Sequence, residues 1–298
     1  AQFHPKGLFL SQQKYAEDLL ATTAISNCSP VATPLPLQPE RAPNQTEPFD
    51  NPSYFRSLVV SCTTSHLLDR TSNSLVNYVC QKMHAPTVSD FLLLKRILRY
   101  IRGTTTMGIS FNKDTDCQLR AYSVSDHAGC HGTRRSTGGF CTFLVNNLIS
   151  WSSRKQVSVA KSSTEAEYRS MSDTASEITW LVNLLRDLGV PQLQLPELFC
   201  DNLSAVYLTA NPSFHARTKH FATHYHYVRE QVAFGELIVH HIPGYLQLAD
   251  IFTKSLAKAP FESLRFKLGV DFPPPPSLRG VSTEQLQTTQ FWNWAQNH

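Results

Sequence analysis

Charge is scarce in this 298-residue chain: Asp, Glu, Lys and Arg together make up 17% of it, and Ser and Thr fill the gap. The balance of 27 basic against 23 acidic residues leaves a formal charge of +4. That is compatible with a nucleic-acid partner and does not require one. No run of about 18 apolar residues occurs, which excludes a membrane-spanning helix. No two cysteines form a C-x-x-C pair. The seven (Cys28, Cys62, Cys80, Cys117, Cys130, Cys141 and Cys200) are odd in number, and no secretory leader precedes them. The expectation is an intracellular, reducing location, cytoplasmic or nuclear, and not secretion. There is no initiator methionine; the abrupt start Ala-Gln-Phe-His-Pro reads as a piece of something longer. Apolar residues reach 41%, enough for real cores in one large domain or two ordinary ones.

The first third is patterned for helices. Tyr15, Leu19 and Leu20 follow Ser11, a candidate N-cap, at helical spacing. Residues 30–52 shift to Pro, Thr, Gln and Asn and read as a loop or linker, after which Pro52 suits a first helical turn. Residues 88–102 carry the stripe Leu92, Leu93, Leu94, Ile97, Leu98 and Ile101, with Thr87 or Ser89 as cap and Gly103 as terminator. Lys95, Arg96, Arg99 and Arg102 line the other side, as a solvated face or one turned to nucleic acid.

From residue 117 the pattern changes. Residues 119–123, 138–145 and 148–153 read as short strands, followed by a long helix over 164–188 with Thr164 and Glu167 spaced as a capping box. Its predicted buried stripe is Ile178, Leu181, Leu184 and Leu185. A strand ending at Asp201, helices to 210 and over 220–234, a strand over 237–242 and a last helix over 246–256 complete the order. An antiparallel opening joined to alternating units implies an α/β fold, a mixed sheet with helices on its faces. Residues 259–298, with prolines at 273–276, read as a tail.

Three acids fall at informative places: Glu167 in the first turn of the long helix, Asp201 at a strand end, and Asp250 in the last helix. Carboxylates collected in this way can hold two divalent ions, which activate water and stabilise a leaving oxygen in phosphodiester hydrolysis. His241, near a strand end, could ferry protons. Singly, each has an ordinary structural role: Glu167 in a capping box, Asp201 as an N-cap, Asp250 as a first-turn acid favoured by the helix dipole. The histidines His215, His220, His224 and His226 form no closed zinc pattern with a cysteine or acid.

Longer strings sharpen this. Thr-Arg-Arg-Ser-Thr-Gly-Gly-Phe-Cys at 133–141, Ile-Ser-Trp-Ser-Ser-Arg-Lys-Gln at 149–156, Ser-Ser-Thr-Glu-Ala-Glu-Tyr-Arg at 162–169, Cys-Asp-Asn-Leu-Ser-Ala at 200–205, Asn-Pro-Ser-Phe-His-Ala-Arg-Thr-Lys-His at 211–220 and Gln-Leu-Ala-Asp-Ile-Phe-Thr-Lys at 247–254 are specific as a set. With them, residues 117–258 resemble the ribonuclease H domain of copia-type LTR retrotransposon Pol polyproteins, most like those of plants. Residues 1–116, through Met-His-Ala-Pro-Thr at 83–87 and Arg-Ile-Leu-Arg-Tyr-Ile-Arg-Gly-Thr at 96–104, look like the end of a reverse transcriptase, its mainly helical thumb and connection.

The resemblance implies a ribonuclease H-like mixed sheet and two-metal hydrolysis, with Mg²⁺ or Mn²⁺, of RNA in RNA–DNA hybrids. The rest of the Pol polyprotein would be a partner. Glu167, Asp201 and Asp250 match the family's metal-binding acids, and His241 its turnover-assisting histidine. The family's first acid belongs in Ser-Asp-Ala-Asp-Trp-Ala-Gly, where this chain reads Ser-Val-Ser-Asp-His-Ala-Gly at 123–129. Val124 therefore stands where a metal ligand is expected, and Asp126, two residues on, is the one nearby candidate to replace it. His127 and His224 depart from an expected Trp and Asp, and residues 68–75 bring polar groups into an expected helix core. No Asp-Asp dipeptide occurs, which leaves no polymerase site in this chain. The expectation is an impaired ribonuclease H; the rivals are a non-catalytic nucleic-acid-binding module and a decayed element copy.

Overall fold

The computed structural model describes residues 1–23, 28–37, 46–65, 73–113, 117–130, 132–190, 192–210 and 222–273. In chain order the elements are β1 (Gln2–His4), β2 (Gly7–Ser11), α1 (Gln13–Thr22), α2 (Pro52–Ser65), α3 (Asn73–Cys80), α4 (Val88–Thr104), β3 (Gly108–Asn112), β4 (Leu119–Asp126), β5 (Thr137–Leu144), β6 (Asn147–Lys155), α5 (Ser163–Asp187), β7 (Glu197–Cys200), α6 (Leu203–Ala210), α7 (Ala222–Ala233), β8 (Ile238–His241), α8 (Lys258–Lys267) and β9 (Val270–Asp271). Two short 3₁₀ turns, Gly244–Leu246 and Leu248–Phe252, lie between β8 and α8.

Five strands form a mixed sheet in the order β6-β5-β4-β7-β8. β4, β5 and β6 are antiparallel, and β7 and β8 run parallel to β4. Period-two alternation sends Ala121 to one face of β4 and Tyr122 and Val124 to the other. The first face packs against α5 through Tyr168, Met171, Ala175 and Ile178, with Leu198, Tyr225 and Val228. On the second face Val124, Cys141, Phe143 and Leu148 pack with Leu248, Ala249, Ile251 and Phe252 of the second 3₁₀ turn and with Phe261 and Leu264 of α8. This is the ribonuclease H-like mixed sheet with flanking helices that the strings implied.

The N-terminal part is helical around a core of Leu19, Leu20, Phe55, Leu58, Val59, Val76, Val79, Leu94, Ile97, Leu98 and Ile101. It also contributes strands: β1, β2 and β3 join β9 in a second, four-stranded antiparallel sheet. Ser11 therefore ends β2 rather than capping α1, whose N-cap Gln12 makes no side-chain bond. Thr87 caps α4 in a capping box with Asp90, and the helix runs through Gly103 to Thr104. Part of the basic face of α4 is used within the chain, where Arg96 donates to Thr33 Oγ1 at 3.1 Å and Arg99 to the Ser29 carbonyl at 2.8 Å, fastening the described 28–37 segment to the helix.

The stretch expected as a tail starts folded. β9 pairs with β3 (Ile109↔Val270), and Phe261 meets Tyr100 of α4 edge-on at 5.8 Å. Tyr100, Ile109, Phe261, Leu264 and Val270 share one core with Val124, so the chain on both sides of residues 117–258 packs onto that sheet. Of the prolines at 273–276 only Pro273 lies within the described residues, and of the polar stretch at 68–75 only the start of α3 does. The expected helix over 246–256 is instead the pair of 3₁₀ turns. In α5, Ser162 and not Thr164 is the N-cap, accepting from the Glu165 amide at 3.1 Å. Its buried stripe ends at Leu181, and Leu184 is exposed because the last turns of the helix run beyond the sheet.

Candidate active site

Three conformational facts converge at one end of the five-stranded sheet. β4 and β7 are parallel neighbours, and from β4 the chain goes to β5 on one side while β7 lies on the other. The carboxyl ends of such strands form a crevice that favours ligand sites. Ser125 and Cys200 stand at those ends, α5 begins beside them, and the second 3₁₀ turn crosses the opposite face.

Glu167 reaches the crevice from α5. It is only 7% exposed. Its Oε1 accepts from the Ser125 amide at 3.0 Å, and its Oε2 lies 3.9 Å from Cys200 Sγ. The capping-box role expected for it falls away, because Glu165 rather than Glu167 serves the helix start, accepting from the Lys161 amide at 2.9 Å. Burial drives the Glu167 carboxyl up to about 8; the Ser125 amide and Lys254 pull against this, while Asp201 and Asp250 reinforce it. The two aspartates thus face Glu167 electrostatically, and the three acids form one site.

Asp201 follows β7 directly. A carboxylate oxygen of Glu167, Cys200 Sγ and a carboxylate oxygen of Asp201 all lie within 4.8 Å of one another. Asp250 stands on the second 3₁₀ turn and pairs with Lys254 Nζ at 2.7 Å. Burial raises its carboxyl above the usual range, Lys254 opposes the shift, and Asp201 adds to it.

Val124 sits where the first acid was expected. It is 1% exposed and packed in the core of the 3₁₀-turn face. Across the ladder its partner is Gly139, where an added Cβ would lie 2.9 Å from Thr253 Cγ2 and 3.0 Å from Phe252 Cβ. The turn bearing Asp250 can approach the sheet this closely because position 139 has no side chain. Position 124 therefore points to the side from which Asp250 comes, and it offers no lone pair.

Asp126 does not join the three acids. Its Oδ1 accepts the Thr137 amide, and a Cβ on Gly129 would fall 2.0 Å from its Oδ2. The carboxylate closes the turn after β4, and its nearby charges are His127 and Lys155. His241 ends β8 in register with Cys200 and is exposed at the rim of the crevice. His224 donates to or accepts from Ser172 Oγ at 3.0 Å, while His215 and His220 lie outside the described residues.

Two glutamines quoted only within longer strings prove to be structural parts of the site. Gln247, 1% exposed, donates to the Ser123 carbonyl at 2.9 Å and accepts from the Ala249 amide at 3.2 Å. Gln156 donates to the Ala166 carbonyl at 2.8 Å and to Ser125 Oγ at 3.3 Å. Cys200 was likewise only part of a string. The one available signal was its adjacency to Asp201 at a strand end.

No family model matches the chain. It is 42% identical over 277 residues to the retrovirus-related Pol polyprotein from transposon RE2 of Arabidopsis thaliana, covering 93% of this chain and 19% of that protein. It is 49% identical over 177 residues to an uncharacterized mitochondrial protein of the same plant, covering 59% of this chain and 73% of that one. The chain thus spans about a fifth of the length of the polyprotein it matches. Among solved structures it is similar to LC11-RNase H1 in complex with an RNA/DNA hybrid, with a TM-score of 0.35 and 18% identity over 46% of this chain and 94% of that one.

Proposed function

The chain belongs to the copia-type Pol polyprotein family of plant transposons, and from that premise we propose that residues 117–258 are its ribonuclease H unit, built to cut RNA in RNA–DNA hybrids and disabled here by valine at position 124. The observation that carries this reading is the meeting of Glu167, Asp201 and Asp250 at the ends of β4 and β7, with a buried apolar side chain completing the ring.

Hydrolysis of a phosphodiester by this family's scheme would place Mg²⁺ or Mn²⁺ ions between Glu167, Asp201, Asp250 and an acid at 124. The ions supply an activated water and a stabilised leaving oxygen. The residues present fit half of that arrangement. Glu167 and Asp201 have donor atoms at ligand spacing, and the Ser125 amide holds Glu167 in place. Asp250 is paired with Lys254 instead, and Val124 cannot ligate. Asp126 is occupied by the Thr137 amide, which argues against its standing in for the lost acid. His241, at the rim, is positioned to exchange protons with solvent once a product strand leaves.

Substrate class is tested by fluorescence anisotropy with labelled RNA–DNA hybrid in chelator, against duplex DNA as competitor. Hybrid binding that weakens with salt and survives excess duplex DNA is expected. Equal displacement by duplex DNA would contradict a hybrid-reading unit.

A further inference from the structure

The donors in the crevice do not match a pair of magnesium ions. Of the ligand set the family scheme requires, position 124 is apolar and Asp250 is committed to an ammonium group at 2.7 Å. What remains at mutual ligand distance is a carboxylate, a sulfur and a carboxylate. Magnesium takes oxygen ligands in near-octahedral geometry and has little use for sulfur. Thiolates select softer ions.

We infer that this crevice takes a single thiophilic divalent cation, of the zinc or cadmium class, on Glu167, Cys200 and Asp201. The inference rests on the reading of Glu167 and Asp201 as the retained half of a metal site.

Three observations support it. The Glu167 Oε2 to Cys200 Sγ separation is 3.9 Å. Two ligands on one tetrahedral zinc, with zinc–sulfur of about 2.3 Å and zinc–oxygen of about 2.1 Å, stand about 3.6 Å apart, so a shift of a few tenths of an ångström suffices. The sulfur is also prepared to carry charge. Asn202 directs its amide at Cys200 Sγ from 3.4 Å. Ser123, wholly buried and opposite Cys200 in the β4–β7 ladder, makes no hydrogen bond to nitrogen or oxygen, and its hydroxyl faces the thiol. A hydroxyl and an amide on a sulfur are the partners that orient and support a metal-bound thiolate. Finally, the next acid, Asp250, already has a cation in Lys254, which takes the place of a second ion in balancing charge.

On binding, the Cys200 S–H bond breaks, its proton goes to solvent, and the sulfur's electron pair forms the bond to the metal. No oxidation is involved.

The test titrates the metal-free full chain with Cd²⁺, followed by the thiolate-to-cadmium ultraviolet band, and with Mn²⁺, counted by electron paramagnetic resonance. Cys200→Ser, Asp201→Asn and Cys130→Ser are run beside it, the last as a control for a more accessible thiol. One equivalent of Cd²⁺ is expected, with the band lost and affinity reduced about tenfold or more in Cys200→Ser and unchanged in Cys130→Ser. A band that survives Cys200→Ser, or two Mn²⁺ ions on the unaltered chain, overturns the inference. If Asp201→Asn weakens Mn²⁺ binding while Cys200→Ser keeps the band, only the sulfur inference fails. If Asp201→Asn changes neither metal, the reading of these acids as a metal site fails with it. Should Cys200→Ser lose its fold by circular dichroism, cadmium NMR of the Cys130→Ser chain decides: a sulfur-ligated shift supports the inference and an all-oxygen shift overturns it.

Discussion

Gln247 Nε2 donates to the Ser123 carbonyl at 2.9 Å, and this bond fastens the turn that carries Asp250 to the strand that carries Val124. Both partners are buried, so the bond is shielded from water and its loss would strand a carbonyl. Gln247→Ala is expected to cost about 1–3 kcal/mol in urea unfolding and to weaken divalent-metal binding, because Asp250 is then free to drift from Asp201. Full stability together with unchanged metal affinity would contradict the fastening role.

The buried Glu167 makes stability depend on pH. Its carboxyl is raised from 4.5 to about 8, chiefly by burial. Between those values the folded state holds a proton that the unfolded chain has released. Stability of the metal-free protein is therefore highest at the acidic side of this window and falls as pH rises toward 8. Glu167→Gln removes the titrating group, so its unfolding free energy should vary less from pH 5 to pH 8 and exceed that of the unaltered chain at the upper end. The check is a denaturant series at both ends with chelator present.

Lys254 neutralises part of the acid cluster and is itself half exposed. Its ion pair is consequently worth little to stability, about 0–1 kcal/mol. Removing its charge should instead help a cation bind. Lys254→Gln is expected to tighten Mn²⁺ binding several-fold, in keeping with roughly 1 kcal/mol for opposed charges near a wet surface. Weaker binding in this variant would show Lys254 to be a support of the site rather than a competitor.

Asp126 holds a turn. Asp126→Ala should destabilise by about 1–3 kcal/mol by orphaning the Thr137 amide, and leave Mn²⁺ affinity unchanged. A loss of metal affinity without loss of stability would make Asp126 a ligand after all.

The convergence of Glu167, Asp201 and Asp250 was legible because each sits at a strand or helix terminus within a specific string. Their supports were not legible. Ser162, Ser163 and Thr164 are adjacent cap candidates, and only tertiary packing of α5 chooses Ser162. Gln247 and Gln156 act through single long-range bonds that leave no periodic trace. α8 and β9 escaped because Phe261 and Leu264 form a short stripe beside Pro260, and a two-residue strand has no pattern of its own. The same holds for β1 to β3, whose pairing with β9 joins residues far apart in sequence.

The most direct measurement is cleavage of a labelled RNA–DNA hybrid in Mg²⁺ by the unaltered chain, by Val124→Asp and by Val124→Asp combined with Asp201→Asn. The account predicts no cleavage by the first, cutting of the RNA strand by the second, and silence again in the third. Cleavage by the unaltered chain that Asp201→Asn abolishes would contradict it, since valine at 124 would then be no lesion.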